Sequence, residues 1–197
     1  LLEWPQAALP ETFALAALMC LYAARIPTRL DAAGDLSSLL DQERSRWDRG
    51  LIERGLSLLD RSATGPAVSA YHIEAAIAAA HATAPSVKET NWAAIVGLYD
   101  RLMAVAPSPV VALSRAVAIG QRDGPDGGLE ALRTIPDPAR LRRYPFYPAA
   151  MGELELKRGN LNAAQRHFTS AAALARNPLE RRYLQKRVQA CAATRSA

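Results

Sequence analysis

The chain has 197 residues, half of them hydrophobic, with a formal net charge of +5. That suffices for one large domain or one helical array with a substantial core. The basic residues are nearly all arginine, spread along the chain rather than blocked, which argues against this segment being itself a DNA- or RNA-binding footprint. Alanine is abundant and valine and isoleucine are sparse, which favours helix over strand.

The two cysteines, Cys20 and Cys191, lie near opposite ends. No CxxC or Cys/His spacing suggests a metal site, so no metal or cofactor is expected, and a reducing, cytoplasmic setting fits best. Residues Phe13 to Ala24 form an apolar run too short to span a bilayer. The run lacks a basic leader and a cleavage site, so neither a signal peptide nor a membrane partner is expected. The chain opens on Leu1 rather than Met, as a fragment of a longer protein would.

In chain order, a first helix is predicted from Pro10 to about Arg25. It is apolar on nearly all sides and therefore expected to be buried. Residues 31–47 break the helical rhythm at Gly34 and at Ser37–Ser38, offer Leu36, Leu39 and Leu40 for packing, and end in a dense group: Asp41, Gln42, Glu43, Arg44, Arg46 and Trp47. A large aromatic in a charged run argues for an ordered loop. Asp48 suits the N-cap of a helix over 49–60. Thr64, Gly65 and Pro66 read as a turn, 67–83 as an alanine-rich helix and 84–91 as a loop. Helices are expected over 92–106 and 109–120, then a turn over 121–128 and a short helix carrying Gly128, Leu132 and Ile135. A proline-punctuated connector holds Arg140, Arg142 and Arg143, read as solvated, with nucleic-acid contact as the other option.

Residues Pro145–Pro178 span 34 residues, the length of a tetratricopeptide unit. Gly152 falls early, Gly159 and Asn160 mark a turn, and Ala164, Phe168 and Ala171 share one stripe of a second helix. The same four-then-three spacing recurs at Ile52, Leu56 and Leu59, at Ile95, Tyr99 and Leu102, and at Gly128, Leu132 and Ile135. The last helix, 179–193, turns Leu179, Tyr183, Leu184, Val188 and Cys191 inward and Arg181, Arg182, Lys186 and Arg187 outward, as a terminal cap requires. The expected fold is all-α: antiparallel helical hairpins stacked as a tetratricopeptide-like right-handed array. Residues 1–64 are expected to supply N-terminal helices and the ordered loop, and 65–197 the repeat region with its capping helix.

Several stretches carry a resemblance: Asp31-Ala-Ala-Gly-Asp-Leu36, Leu40-Asp-Gln-Glu-Arg-Ser-Arg-Trp-Asp48, Ala75-Ala-Ile-Ala-Ala-Ala-His81, Leu98-Tyr-Asp100, Ser108-Pro-Val-Val-Ala-Leu-Ser-Arg-Ala-Val117 and Asn177-Pro-Leu-Glu-Arg-Arg-Tyr-Leu184. On these the chain resembles the C-terminal region of bacterial extracytoplasmic-function-type RNA polymerase sigma factors that carry a tetratricopeptide extension. The stretch Gln42 to Trp47 is its most specific part. The resemblance implies a non-catalytic regulatory or protein-interaction domain acting in transcription initiation. The implied partners are the upstream sigma domains, the RNA polymerase core and a regulatory protein, with promoter DNA met through the full-length protein rather than this segment.

Two groups are candidate protein-binding or interdomain docking sites. Asp41, Gln42, Arg44, Arg46 and Trp47 either fix the loop internally, with Asp41 bidentate to an arginine and Trp47 as a buried anchor, or dock the upstream domains or polymerase. Tyr71, Glu74, His81, Ser114 and Arg115 line a concave face or pack partly buried. His72, His81 and His167 form no catalytic constellation, and the glycine-rich QRDGPDGG lacks the Lys-Ser/Thr of a phosphate loop. No enzyme activity is expected. The competing reading is a free-standing tetratricopeptide scaffold that binds a peptide or protein.

Overall fold

Short polar caps and prolines set where each helix begins. In the computed structural model, which describes residues 8–64 and 67–194, nine α-helices are present among the described residues and no β-strand. They are α1 Pro10–Ala23, α2 Arg49–Ser62, α3 Ala70–Thr83, α4 Trp92–Val105, α5 Pro109–Arg122, α6 Pro125–Arg133, α7 Phe146–Lys157, α8 Leu161–Leu174 and α9 Pro178–Thr194. Asp48, Asn91, Ser108 and Asn160 each accept a hydrogen bond from the backbone N–H three residues on, at 2.9, 3.0, 3.1 and 3.3 Å. Each thereby satisfies one of the orphan donors of a first helical turn. At α3, Ser69 and His72 cap reciprocally, and His72 Nε2 also meets the Ser62 carbonyl at the end of α2. The expected turn at Gly65–Pro66 lies outside the described residues.

The chain divides into two compact units, residues 1–33 with 37–106, and residues 34–36 with 107–197. The boundary expected at 64/65 falls inside the first unit, because α3 packs on both α1 and α2. In that unit α1 is central. Phe13, Ala17, Leu18 and Leu21 meet Ile52 and Leu58 of α2 and Ala75, Ala78, Ala79 and Ala82 of α3, with Trp47 in the same core. The small alanines let α3 approach α1 closely; the gain is apolar burial. Yet α1 is not buried all round, as its composition predicted. Two neighbouring helices cover only part of a cylinder, and Met19 and Tyr22 remain exposed.

In the second unit successive helices pack on one another: α5 on α6, α6 on α7, α7 on α8 and α8 on α9. The short turns joining α5 to α6, α7 to α8 and α8 to α9 make those pairs antiparallel hairpins, whereas a longer connector, 134–145, leads from α6 to α7. The expected turn over 121–128 shrinks to Asp123–Gly124, because Pro125 already starts α6 and Gly124 reverses the chain at φ 89°. The 145–178 hairpin forms as its spacing predicts. Ala164, Phe168 and Ala171 are fully buried, with Ala175, Leu184 and Cys191 around them. Gly152 lies flat against the Phe168 ring, where a Cβ would come within 2.9 Å of it.

Of the basic residues expected to point outward on α9, Arg181, Arg182 and Lys186 are exposed and Arg187 is half-buried, and all four are engaged. Arg187 pairs with Glu153 and lies 5.3 Å over the Phe168 ring. Arg182 and Lys186 pair with the buried Asp35, and Arg181 donates to the Ala175 carbonyl at 2.7 Å. Hydrogen bonding from Lys186, with Arg182 nearby, holds the Asp35 carboxyl below its ordinary range. Arg140, Arg142 and Arg143 are exposed around the buried Leu141, which anchors their connector.

Candidate functional site

A polar network of the first unit sits where residues 37–48 of the loop cross the C-terminal ends of α1 and α3. Asp48 N–H donates to the Ala24 carbonyl at 3.0 Å, tying the loop's end to that of α1. Trp47 is buried and its indole N–H donates to the Thr28 hydroxyl at 2.9 Å. Thr28 in turn donates to the Arg25 carbonyl at 3.1 Å. Gln42 bridges inward: its side-chain oxygen accepts from Arg25 Nε at 3.2 Å, and its amide donates to the Ser37 carbonyl at 3.1 Å.

Arg44 closes the corner. It is 5% exposed, and its Nη1 donates to the carbonyls of His81 and Ala84, both at 3.0 Å. Those are carbonyls at the end of α3, which have no partner within the helix. A cation there also meets the negative end of the helix dipole. Arg25 and Arg44 lie over the Trp47 ring at 5.6 and 5.4 Å. Ring and helix end thus replace the counter-ion that a buried guanidinium otherwise needs. Burial still lowers the pKa of both arginines. Arg44 Nε and Nη2 and His81 Nδ1 are buried without a hydrogen-bond partner.

His81 packs edge-on against Trp92, with ring centroids 5.3 Å apart. Burial first, then the positive charges of Arg44 and Arg25, push its pKa down to about 4. It is therefore neutral at pH 7. Across α1, the Tyr22 phenol lies near Glu74 of α3 and near Arg25. Burial raises the pKa of Glu74.

Gln42, Arg44, Trp47 and His81 come together here, but as buried parts of the corner. The anchor role expected of Trp47 holds. The bidentate partner expected for Asp41 does not form: its carboxylate accepts from Ser38 Oγ at 2.6 Å in an exposed turn, and the nearby buried arginine seeks helix carbonyls instead. Arg46 and Tyr71 are exposed. Ser114 and Arg115 belong to the second unit and are half-buried there. Sequence reasoning missed Arg25 and Thr28, on which the network turns. It also missed the exposed face of α1, formed by Met19 and Tyr22 and continued by Ile26 in the following turn. Their three-then-four spacing was a usable signal, hidden by the apolar residues around them.

Among the described residues no group of three or more His, Cys, Asp or Glu side chains is placed to hold a metal ion. None of their helices is long and apolar enough to cross a membrane.

Residues 1–63 match DUF6596, a family of unknown function. The match covers α1, the loop and α2, hence every corner residue except those of α3 and α4. The chain is 37% identical over 184 residues to an uncharacterized protein of Rhizobium meliloti (strain 1021), covering 93% of this chain and 43% of that protein. It thus spans less than half the length of that curated relative. No solved structure matches the chain.

Proposed function

We propose that this chain is a non-catalytic regulatory and protein-interaction domain of an RNA polymerase sigma factor acting in transcription initiation. The observation that carries this reading is the Gln42–Trp47 stretch, the most specific part of the resemblance. Its residues Gln42, Arg44 and Trp47 are committed to fixing the loop against α1 and α3. A loop fixed so firmly presents Asp41 and Arg46 at defined positions, which a docking surface needs. The length of the Rhizobium relative, more than twice the matched stretch, supports a domain within a larger protein.

The test is transcription from a cognate promoter by the full-length factor, with and without this segment. A change in output or in binding to core polymerase is expected. Unchanged output and unchanged polymerase binding refute the regulatory role. The alternative, a free-standing scaffold for a peptide or protein partner, rests on the exposed apolar face of α1. Reading the codons upstream of Leu1 separates the two: a pair of DNA-binding domains supports the sigma factor, and an immediate start codon the scaffold.

A further inference from the structure

Met19, Tyr22 and Ile26 are 65%, 53% and 63% exposed. They recur three and four positions apart, the spacing that places side chains on one helical face. Ala24 and Arg25 keep helical dihedrals into the following turn, so Ile26 continues that face. Single exposed apolar side chains are ordinary; three in one stripe mark an interaction surface.

Charge along the stripe narrows the occupant. Arg25 is half-buried and Arg29 exposed, and Arg25 is opposed by both Arg29 and Arg44 as like charges. Among the described residues no carboxylate forms an ion pair with Arg25, Arg29 or Arg44. The acidic group on the neighbouring element is Glu74, beside Tyr22. A second copy would bring its own Arg25 and Arg29 to a face whose acidic neighbour is Glu74 alone, so like charges outnumber opposite ones, which disfavours self-association here. A lipid surface is recruited by clusters of about four to eight basic side chains, more than this face offers. What remains is an apolar ridge flanked by negative charge.

We propose that the Met19–Tyr22–Ile26 stripe, with Arg25 and Arg29 beside it, docks an amphipathic helix of a separate protein whose apolar ridge is flanked by carboxylates. The inference rests on the reading of this chain as a protein-interaction domain and names the chemistry of its partner. Met19, Tyr22 and Ile26 supply the apolar contact, and Arg25 and Arg29 fix which helix is accepted.

The probe is a fluorescein-labelled helical peptide of about 20 residues with leucines on one face and glutamates flanking them. Its companion has lysines in place of the glutamates. Fluorescence anisotropy on the whole chain is expected to show the glutamate peptide binding at least about tenfold more tightly than the lysine peptide, with the gap narrowing in high salt. The double substitution Met19→Glu, Ile26→Glu is expected to weaken the glutamate peptide at least about tenfold. Arg29→Glu lies on the exposed surface and is expected to shift preference toward the lysine peptide. Equal binding of the two peptides, or binding indifferent to these substitutions, overturns the proposal. So does a dimer of the free chain that the double substitution dissociates, and so does phosphatidylserine-vesicle binding that it abolishes. If deleting the segment alters promoter output while the peptide tests fail, the docking face falls and the interaction-domain reading stands. If deletion changes nothing, that reading falls whatever the peptides do.

Discussion

Acidification tests whether His81 is held neutral by its surroundings. Its pKa is pushed from 6.5 to about 4 by burial and by Arg44 and Arg25. As pH falls below 6.5 the unfolded chain takes up a proton on this imidazole that the folded chain refuses. Stability from this group is therefore complete above pH 6.5 and drains away as pH falls toward 4. A shift of this size corresponds to about 3 kcal/mol in full, and about 2.5 kcal/mol is lost by about pH 4.5. The assay is urea unfolding by far-UV circular dichroism at several pH values between 7.5 and 4.5, for the wild type and for His81→Phe. Phenylalanine keeps a ring against Trp92 and cannot titrate. Every other ionisable group is common to both proteins, so the difference between the two curves isolates His81. Wild-type stability is expected to fall relative to the variant by about 2.5 kcal/mol across that range. Parallel curves refute the reasoning: either the imidazole is solvated or the two guanidinium groups do not bear on it.

Arg44→Ala is expected to cost about 2–3 kcal/mol, since two charge-assisted hydrogen bonds to the end of α3 disappear. Arg46→Ala, two residues on and exposed, changes stability by less than about 0.5 kcal/mol, and thermal unfolding of both variants checks the contrast. For Gly152→Ala two effects compete. Helix propensity favours alanine by about 1 kcal/mol, while overpacking against the buried Phe168 ring costs about 1–3 kcal/mol. The clash wins, the variant melts lower, and Phe168→Leu in the same chain recovers part of the loss, which a double-mutant cycle measures. Asp48→Ala removes the N-cap of α2 and is expected to cost about 1 kcal/mol in urea unfolding.

What could be read from residue order alone was local. Gly152, Gly159, Ala164 and Phe168 specify a helical hairpin because its two helices adjoin in the chain, so that Gly152 and Phe168 meet across one short turn. The cap at Asp48 was legible because a short carboxylate just ahead of a helix suits one role, whereas Trp47 carried two readings, a buried anchor or part of a docking group. Arg44 was not legible in detail, because its partners are 37 and 40 positions away and are backbone carbonyls, which any sequence offers. The likelier partner on paper was the carboxylate of Asp41, which instead joins Ser38. The face of α1 failed for a different reason. An alanine- and leucine-rich helix looks uniformly apolar, and which side stays open depends on where α2 and α3 land.

The attachment of Arg44 to the last carbonyls of α3 has a consequence for how the first unit opens. A surface loop ordinarily exchanges its amide hydrogens far sooner than the helices around it. Here the loop cannot lift without uncapping α3, and the end of α3 cannot fray without stranding a buried guanidinium. The bonded amides of Gln42, Trp47 and Asp48 therefore exchange at the pace of α3 rather than at the pace of a loop.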